Sequence, residues 1–332
     1  MQKEINTINS VKSRLSWTNI INAQKKEIDY LKRKYKFSEL DLKDSLAEHY
    51  AQRPKFYVRN GYHFLILQFP VYNKKTRIIE AEEIDFFIGK DYIITLHKNT
   101  LSPLVELYNL CQSDSFYREQ YFGDITSLLY EMLSNLQEYC YPMLDQISVS
   151  IKNIKNNIFA GRERQMVTEI LHVKRNILGY RKIMQSHKNV IQKMYRDKIQ
   201  SAPIKKAKIL MNQPAKGQPN AWIEEKTKIY FNDLIERTKE IWDNLGEQKE
   251  MIEALEDTNS SLVSFKLNDI MRTLTIFSVI VFPLTLLAAI FGMNTVNSMP
   301  FMNDPNGFWI VMQLMLVGGL IMFLFFKRKK WL

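Results

Sequence analysis

The stretch LNDIMRTLTIFSVIVFPLTLLAAIFGMNTV, Leu267 to Val296, decides how the chain is to be read. From Leu274 to Met293 it holds no ionisable side chain, and the apolar run stops at Gly292-Met293-Asn294. A second uncharged stretch runs from Gly307 to Phe326. Each is about 20 residues long, the length a helix needs to cross a hydrocarbon core about 30 Å thick. Helices buried in soluble proteins rarely stay apolar on every face for so long, so both stretches are expected to be membrane spans. The loop between them carries no Lys or Arg, whereas the tail reads Lys327-Arg328-Lys329-Lys330. Positive charge marks the cytoplasmic side, so a two-span hairpin in the cell (inner) membrane is expected, with both termini inside. Trp309 and Trp331 are placed to anchor it at the two interfaces.

Around this hairpin the 332 residues carry 46 Lys+Arg against 35 Asp+Glu, a net charge of +11. Lys and Arg near the cytoplasmic leaflet gain from anionic lipid, which accounts for the excess. No nucleic-acid motif is present, and no nucleic-acid partner is expected. The opening MQKEINTINSVKSRLSW is polar and lacks an apolar leader segment, so residues before 270 are expected to remain in the cytosol. Cys111 and Cys140 have no metal-ligand spacing and are expected as free core thiols. His49, His63, His97, His172 and His187 are scattered, without HExxH or HxxxH, which argues against a zinc site. There is no phosphate loop, nucleophile motif or recognisable carboxylate pair, so the chain is not read as an enzyme and no organic cofactor is expected.

Upstream of the spans the pattern is that of an α+β cytoplasmic domain, an α/β/α sandwich occupying residues 1–200. Residues 17–50 read as short helices, with Ile28, Leu31 and Tyr35 at helical spacing and Ser38 as an N-cap. Between 56 and 98, the runs FYVRN, YHFLILQFPVY, TRIIEAEEIDFFIG and DYIITLHK are rich in β-branched and aromatic residues. Turn signals at Asn60-Gly61, Asn73-Lys74-Lys75 and Gly89-Lys90-Asp91 separate them, predicting a mostly antiparallel sheet. From about Ile125 two long antiparallel helices are expected, over 128–159 and 165–195, joined near Gly161. Pro203, Pro214, Gly217 and Pro219 mark 201–220 as a connector. A stalk helix over 221–269 then runs unbroken into the first span, 270–293; the loop is 294–307, the second span 308–326 and the basic tail 327–332. In the stalk, Phe231, Leu234, Ile241, Leu245, Ile252, Leu255 and Leu262 form a heptad stripe, interrupted by Thr238, Gln248 and Asn259. Such interruptions are expected in an oligomeric stalk around water rather than in a dry two-stranded coil.

The first span, followed by Met299-Pro300, a second span and the tail KRKKWL, resembles the CorA family of divalent-cation transporters, whose signature is a Gly-Met-Asn at the end of the first span. Asn268, Pro283-Leu284-Thr285 and Trp331 add to the likeness. YFNDLIERT (Tyr230 to Thr238) is similar to the family's stalk, and SELDLKDSLAEHYAQRPK and EEIDFFIGKDYIITLHK to its N-terminal domain, so the likeness covers residues 17–332. The resemblance implies a homopentameric funnel whose stalk helix is continuous with a pore-lining first span, the second span lying outside. It implies transport of hydrated Mg2+, with Co2+ or Ni2+ also passed by many members. It also implies closure by intracellular Mg2+ held between acidic residues of neighbouring cytoplasmic domains. Asp233 matches the stalk-side acid. Its partner is expected near RPKFYVRNGYHFLIL, where this chain has Phe56, Tyr57, Val58, Arg59 and Asn60 in place of acids, so an Arg59–Asp233 salt bridge is the alternative to a bound ion.

Within the first span Asn268, Met271, Leu274, Ser278, Phe282, Thr285 and Ala289 are separated by 3, 3, 4, 4, 3 and 4, and so share one helix face. Polar or small groups there suit a wet pore, and Met271 with Leu274, which match the family's gate positions, suit a constriction that closes by dewetting. Packing against another helix in lipid also favours Ser and Ala and is the alternative for this face. Phe282 is bulky for a pore wall. By the resemblance, Gly292, Met293 and Asn294 form the selectivity filter. A ring of Asn294 amides accepts hydrogen bonds from the waters of an ion that dehydrates reluctantly, where carboxylates would hold it too tightly. In the outer loop Phe301 stands where magnesium carriers of the family have Glu, and Asp304 is the one carboxylate left to attract cations. The altered loop keeps a zinc transporter of the same family open. The heptads and hairpin alone permit a non-conducting, membrane-anchored coiled-coil sensor or scaffold, which leaves the polar stripe unexplained.

Overall fold

The computed structural model describes residues 5–46, 53–201, 219–293, 300–301, 305–329 and 331. Among these, six strands form one sheet: β1 (Asn6–Asn9), β2 (Ser16–Ile21), β3 (Lys55–Val58), β4 (His63–Asn73), β5 (Ile78–Ile88) and β6 (Tyr92–His97). Their order is β1-β2-β6-β5-β4-β3. Strands β3 to β6 pair antiparallel, as the β-branched and aromatic runs and the turn residues predict, with Phe64 opposite Phe87 and Phe87 opposite Ile94. Strand β2 instead runs parallel to β6. This corrects the helix expected from residue 17. Trp17, Thr18, Asn19 and Ile20 are all buried, so the strand is covered on both faces. A short run of that kind carries no period to separate strand from helix. Trp17 Nε1 donates to Thr95 Oγ1 at 3.0 Å, tying the parallel pair together.

Helices α1 (Lys25–Tyr35) and α2 (Glu39–Asp44) follow as expected, and Ile28, Leu31, Phe37 and Leu42 pack with Phe64, Phe87 and Ile94 of the sheet. Ser38 precedes α2 but makes no side-chain cap; its N–H donates to Tyr62 Oη at 2.9 Å. Helical structure resumes earlier than 125, with α3 (Ser102–Ser113) and α4 (Ser115–Tyr121) ahead of α5 (Ile125–Glu138). The helix expected over 128–159 is broken, because α6 (Tyr141–Phe159) restarts with Pro142 in its first turn, where a missing N–H breaks no bond. Tyr180 Oη donates to the Cys140 carbonyl at this break, at 2.9 Å. Gly161, at φ +83°, turns the chain into α7 (Glu163–Met184), which packs back on α6, and α8 (His187–Ser201) follows a second break. Cys111 and Cys140 are free and buried.

The chain then enters α9 (Pro219–Phe291), a single helix of 73 residues that passes through Gly246 and Pro283. The rest of the expected connector, 202–218, lies outside the described residues. The heptad stripe departs from expectation. Phe231, Leu234, Ile241, Leu245 and Ile252 are each at most 2% exposed within the single chain. Two of the three polar interruptions are matched: Gln137 of α5 donates to Thr238 Oγ1 at 2.8 Å and to the Leu234 carbonyl at 3.0 Å. Gln248 in turn donates to Ser148 Oγ at 2.8 Å and to the Leu144 carbonyl at 3.0 Å, both on α6. Lys174 of α7 pairs with Glu256 at 2.5 Å, and Tyr195 of α8 lies against Phe231. From Phe231 to Leu255 the stripe is therefore the seam of an intrachain core rather than the wall of a water-filled stalk. Compact packing divides the chain into Met1–Glu256 and Asp257–Leu332, so most of the expected stalk belongs to the first unit. In the second unit α9 continues to Phe291 and α10 (Gly307–Arg328) returns beside it; these two are the helices among the described residues long and apolar enough to cross a membrane.

Candidate functional site

In the second unit one face of α9 is turned toward α10. Ile276 on it is buried, and Arg272, Ile280, Leu284, Leu287 and Phe291 are partly buried. Leu284 Cδ1 sits 3.6 Å from the point where Gly319 would carry a Cβ, a close approach of the kind small residues allow between membrane helices. At the other end the Arg272 guanidinium lies 5.5 Å from the Trp331 ring. Trp331 N–H donates to the Phe326 carbonyl at 3.0 Å and its ring stacks on Phe326, so the tail folds back onto the hairpin.

The seven residues of the expected stripe are all exposed, Phe282 at 77%. At about 100° per residue they centre about 180° around the helix from the face that α10 covers. Packing inside the hairpin therefore does not account for them. Ser278 Oγ donates to the Leu274 carbonyl and Thr285 Oγ1 to the Val281 carbonyl, both at 2.9 Å. Their protons are used within the helix, while each oxygen keeps lone pairs for an outside donor. Pro283 withdraws the N–H that the Val279 carbonyl would otherwise accept. The helix closes at Gly292, whose N–H donates to Ala288, and Met293, whose N–H donates to Ile290 in a tighter step. A Cβ on Gly292 would press on the Ala288 carbonyl at 3.1 Å. Asn294 and Asp304 lie outside the described residues. Phe301 is in the left-handed region, at φ +67°, and its carbonyl lies so close to Gly307 that no Cβ fits there.

Asp233 is held by its own chain. Tyr130 Oη donates to its Oδ2 at 2.8 Å, and Arg237 Nε approaches the same oxygen at 3.0 Å. Arg237 also bonds Glu138 at 2.8 Å, and Tyr130 stacks on Tyr230 with ring centroids 4.1 Å apart. Burial draws the Arg237 guanidinium down, but Asp233 beside it more than offsets this and holds the group above its ordinary value. Burial, then the bond to Asp233, pushes the Tyr130 phenol up, and burial raises the Glu131 carboxyl. Within the single chain Arg59 does not bond Asp233. Arg59 instead makes a bidentate pair with Asp41, Nε to Oδ2 at 2.9 Å and Nη2 to Oδ1 at 2.5 Å, and Tyr62 Oη adds a third bond at 2.6 Å. Asp41 is fully buried in α2, and a buried carboxylate claims the nearest cation. Among the described residues no cluster of three or more His, Cys, Asp or Glu could hold a metal ion. Sequence reasoning missed Tyr130 and Arg237 as partners of Asp233. Arg237, one helical turn on, was a readable signal; Tyr130, 103 residues away, was not.

Residues 12–328 match the family model described as CorA-like Mg2+ transporter protein. The chain belongs to this family. It is 28% identical over 296 residues to the cobalt/magnesium transport protein CorA of Thermotoga maritima, covering 88% of this chain and 76% of that one. Its fold matches the complete structure of the CorA magnesium transporter from Methanocaldococcus jannaschii with a TM-score of 0.75 at 21% identity, over 98% of this chain and 94% of the other. The full-length CmaX protein matches with a TM-score of 0.68 at 16% identity, over 99% and 93%. As a member of the CorA-like family the chain is a membrane transporter of divalent cations, not an enzyme. The sheet domain, the long α9 and the apolar α10 are the family's architecture in this sequence.

Proposed function

We propose that five copies of this chain assemble about one axis and pass hydrated Mg2+ through a pore lined by the Asn268–Ala289 stripe of α9, with Asn294 at its outer mouth. The observation that carries this reading is the free face. A helix apolar enough for lipid keeps Asn268, Ser278 and Thr285 exposed on the side opposite its only neighbour in the hairpin, and such groups in hydrocarbon demand a partner or water. A central water column supplies it for every copy at once. Oxygen acceptors, rather than charges, suit an ion that keeps its waters. Both termini face the cytoplasm of the cell membrane, by the charge of the tail. Mg2+ is preferred on the strength of the relatives' names, with Co2+ and Ni2+ as further candidates. Closure by an intracellular divalent cation at Asp233 is part of this reading, and there the ion competes with Arg237.

Mg2+ entry into proteoliposomes tests it, wild type against Asn294→Ala, repeated with Co2+ and Zn2+. Mg2+ flux in the wild type, lost or made unselective in the variant, is expected. Equal Mg2+ flux in both removes Asn294 from the filter. No divalent flux in either removes the pore, and Zn2+ entering in preference to Mg2+ reassigns the ion.

A further inference from the structure

Between residues 270 and 291 of α9, four hydroxyls donate to the carbonyl four residues back: Thr273 to Asp269, Thr275 to Met271, Ser278 to Leu274 and Thr285 to Val281, at 2.8–2.9 Å. Two of the carbonyls they bond belong to Met271 and Leu274, the apolar residues of the expected constriction. At about 100° per residue, measured from Met271, the seven-residue stripe spans about 60° to either side. Thr275 falls about 40° from Met271, inside that span and nearer its centre than Asn268. Thr273 falls about 160° away, toward the α10 side. Thr275 is exposed and directly follows Leu274, so it lies at the level of the constriction. Selection by spacing alone steps from Leu274 to Ser278 and passes over it.

We propose that Thr275 belongs to the pore wall and keeps the Met271–Leu274 constriction wettable; this rests on the pore reading above. A ring of Met and Leu side chains alone offers water no hydrogen-bond partner and closes by dewetting. One hydroxyl oxygen per copy, at the same level, gives water a foothold and lowers the barrier to refilling. The Thr275 proton is committed to the Met271 carbonyl, so its oxygen meets the lumen as an acceptor. Waters around a cation present both hydrogens outward and use that acceptor readily; waters around an anion have one hydrogen turned to the ion and offer fewer.

Proteoliposome Mg2+ flux tests the assignment. Thr275→Val keeps the branched shape and removes the oxygen, and flux is expected to fall about tenfold, the factor that one hydrogen bond is worth. Thr275→Ser should restore it, and Thr273→Val should leave it unchanged. Cysteine variants give a second readout, since the native Cys111 and Cys140 are buried and silent to a cationic methanethiosulfonate reagent. Thr275→Cys should be blocked by the reagent, and Thr273→Cys should not. Full flux in Thr275→Val, together with block at Leu274→Cys and Ser278→Cys but not at Thr275→Cys, overturns this assignment and leaves the pore intact. No block at any of the three positions overturns the pore reading itself.

Discussion

The same helix handles polar residues in two opposite ways. Along the seam in the first unit, Thr238 and Gln248 interrupt an apolar stripe, and each finds its partner on α5 or α6 of the same chain. Along the exposed stripe in the second unit, Ser278 and Thr285 interrupt an apolar helix equally sharply and face outward, with no partner among the described residues beyond their own backbone. Period and residue type are alike in both; what differs is whether the chain supplies a second surface. A polar group at a seam position is evidence of water only after the neighbouring helices have been placed.

Acid should separate the two regions most sharply. His187, fully buried at the start of α8, donates its Nε2–H to the Gln68 carbonyl at 2.6 Å and packs edge-on to Phe69. Burial pushes its imidazole from the ordinary 6.5 down to about 4. The folded state therefore holds it neutral where the unfolded chain would take a proton. Its contribution is complete above about pH 6.5 and is lost as pH falls toward 4, on the order of 3 kcal/mol. Burial lowers His97 in the same direction. Asp85 acts oppositely: burial, then Glu83, raises its carboxyl, so its contribution is present in acid and lost as pH rises. Chemical unfolding of the full-length protein in detergent should show the first unit weakening between about pH 7 and about pH 4.5, and His187→Asn should flatten that slope. The stripe has no ionisable group from Leu274 to Met293 and contributes no titration of its own. A slope unchanged by His187→Asn would assign the acid sensitivity elsewhere.

A substitution pair tests the comparison directly. Gln248→Leu leaves the Leu144 carbonyl without its side-chain donor in the buried seam, while the exposed Ser148 Oγ turns to water, which should cost about 1 kcal/mol of stability. Ser278→Ala removes a hydroxyl whose only internal bond is to its own helix, and should change stability by less than about 0.5 kcal/mol while lowering flux. If the two melts shifted equally, the exposed stripe would be a packed interface like the seam, and the distinction between them would fail.

What could be read in advance follows the same line. Strands β3 to β6 were legible from their β-branched and aromatic residues and from the Asn, Gly and Lys-Asp turn signals between them. Strand β2 was not, because the short run Trp17 to Ile20 has no period and, unlike β3 to β6, no Gly or Pro turn signal beside it. The stripe along Asn268 to Ala289 was legible as a face, since one helix and its period suffice to define it. The heptad stripe was legible as a stripe, but its partner was not: Gln137 and Ser148 stand about a hundred residues upstream of Thr238 and Gln248, and nothing local announces them. Within the chain Arg59 pairs with Asp41 on α2, a contact across strand and helix that no local period announces.

Asp233 lies between the two regimes, and its response should be the smallest in stability. It is partly exposed, its pairing with Arg237 spans one helical turn, and Tyr130 adds a bond from α5. An ion pair at 28% and 35% side-chain exposure contributes no more than about 1 kcal/mol, so Arg237→Gln should barely move a melt. Its effect on regulation should be larger. With the guanidinium gone, an intracellular Mg2+ ion no longer competes with a tethered cation for the carboxylate, and the internal Mg2+ concentration that halves flux should fall. Asp233→Ala should abolish that dependence, and the double variant should behave like Asp233→Ala alone. If Arg237→Gln leaves the half-inhibiting concentration where it was, Asp233 is a seam residue at the edge of the first unit, satisfied within its own chain like Thr238, and regulation is seated elsewhere.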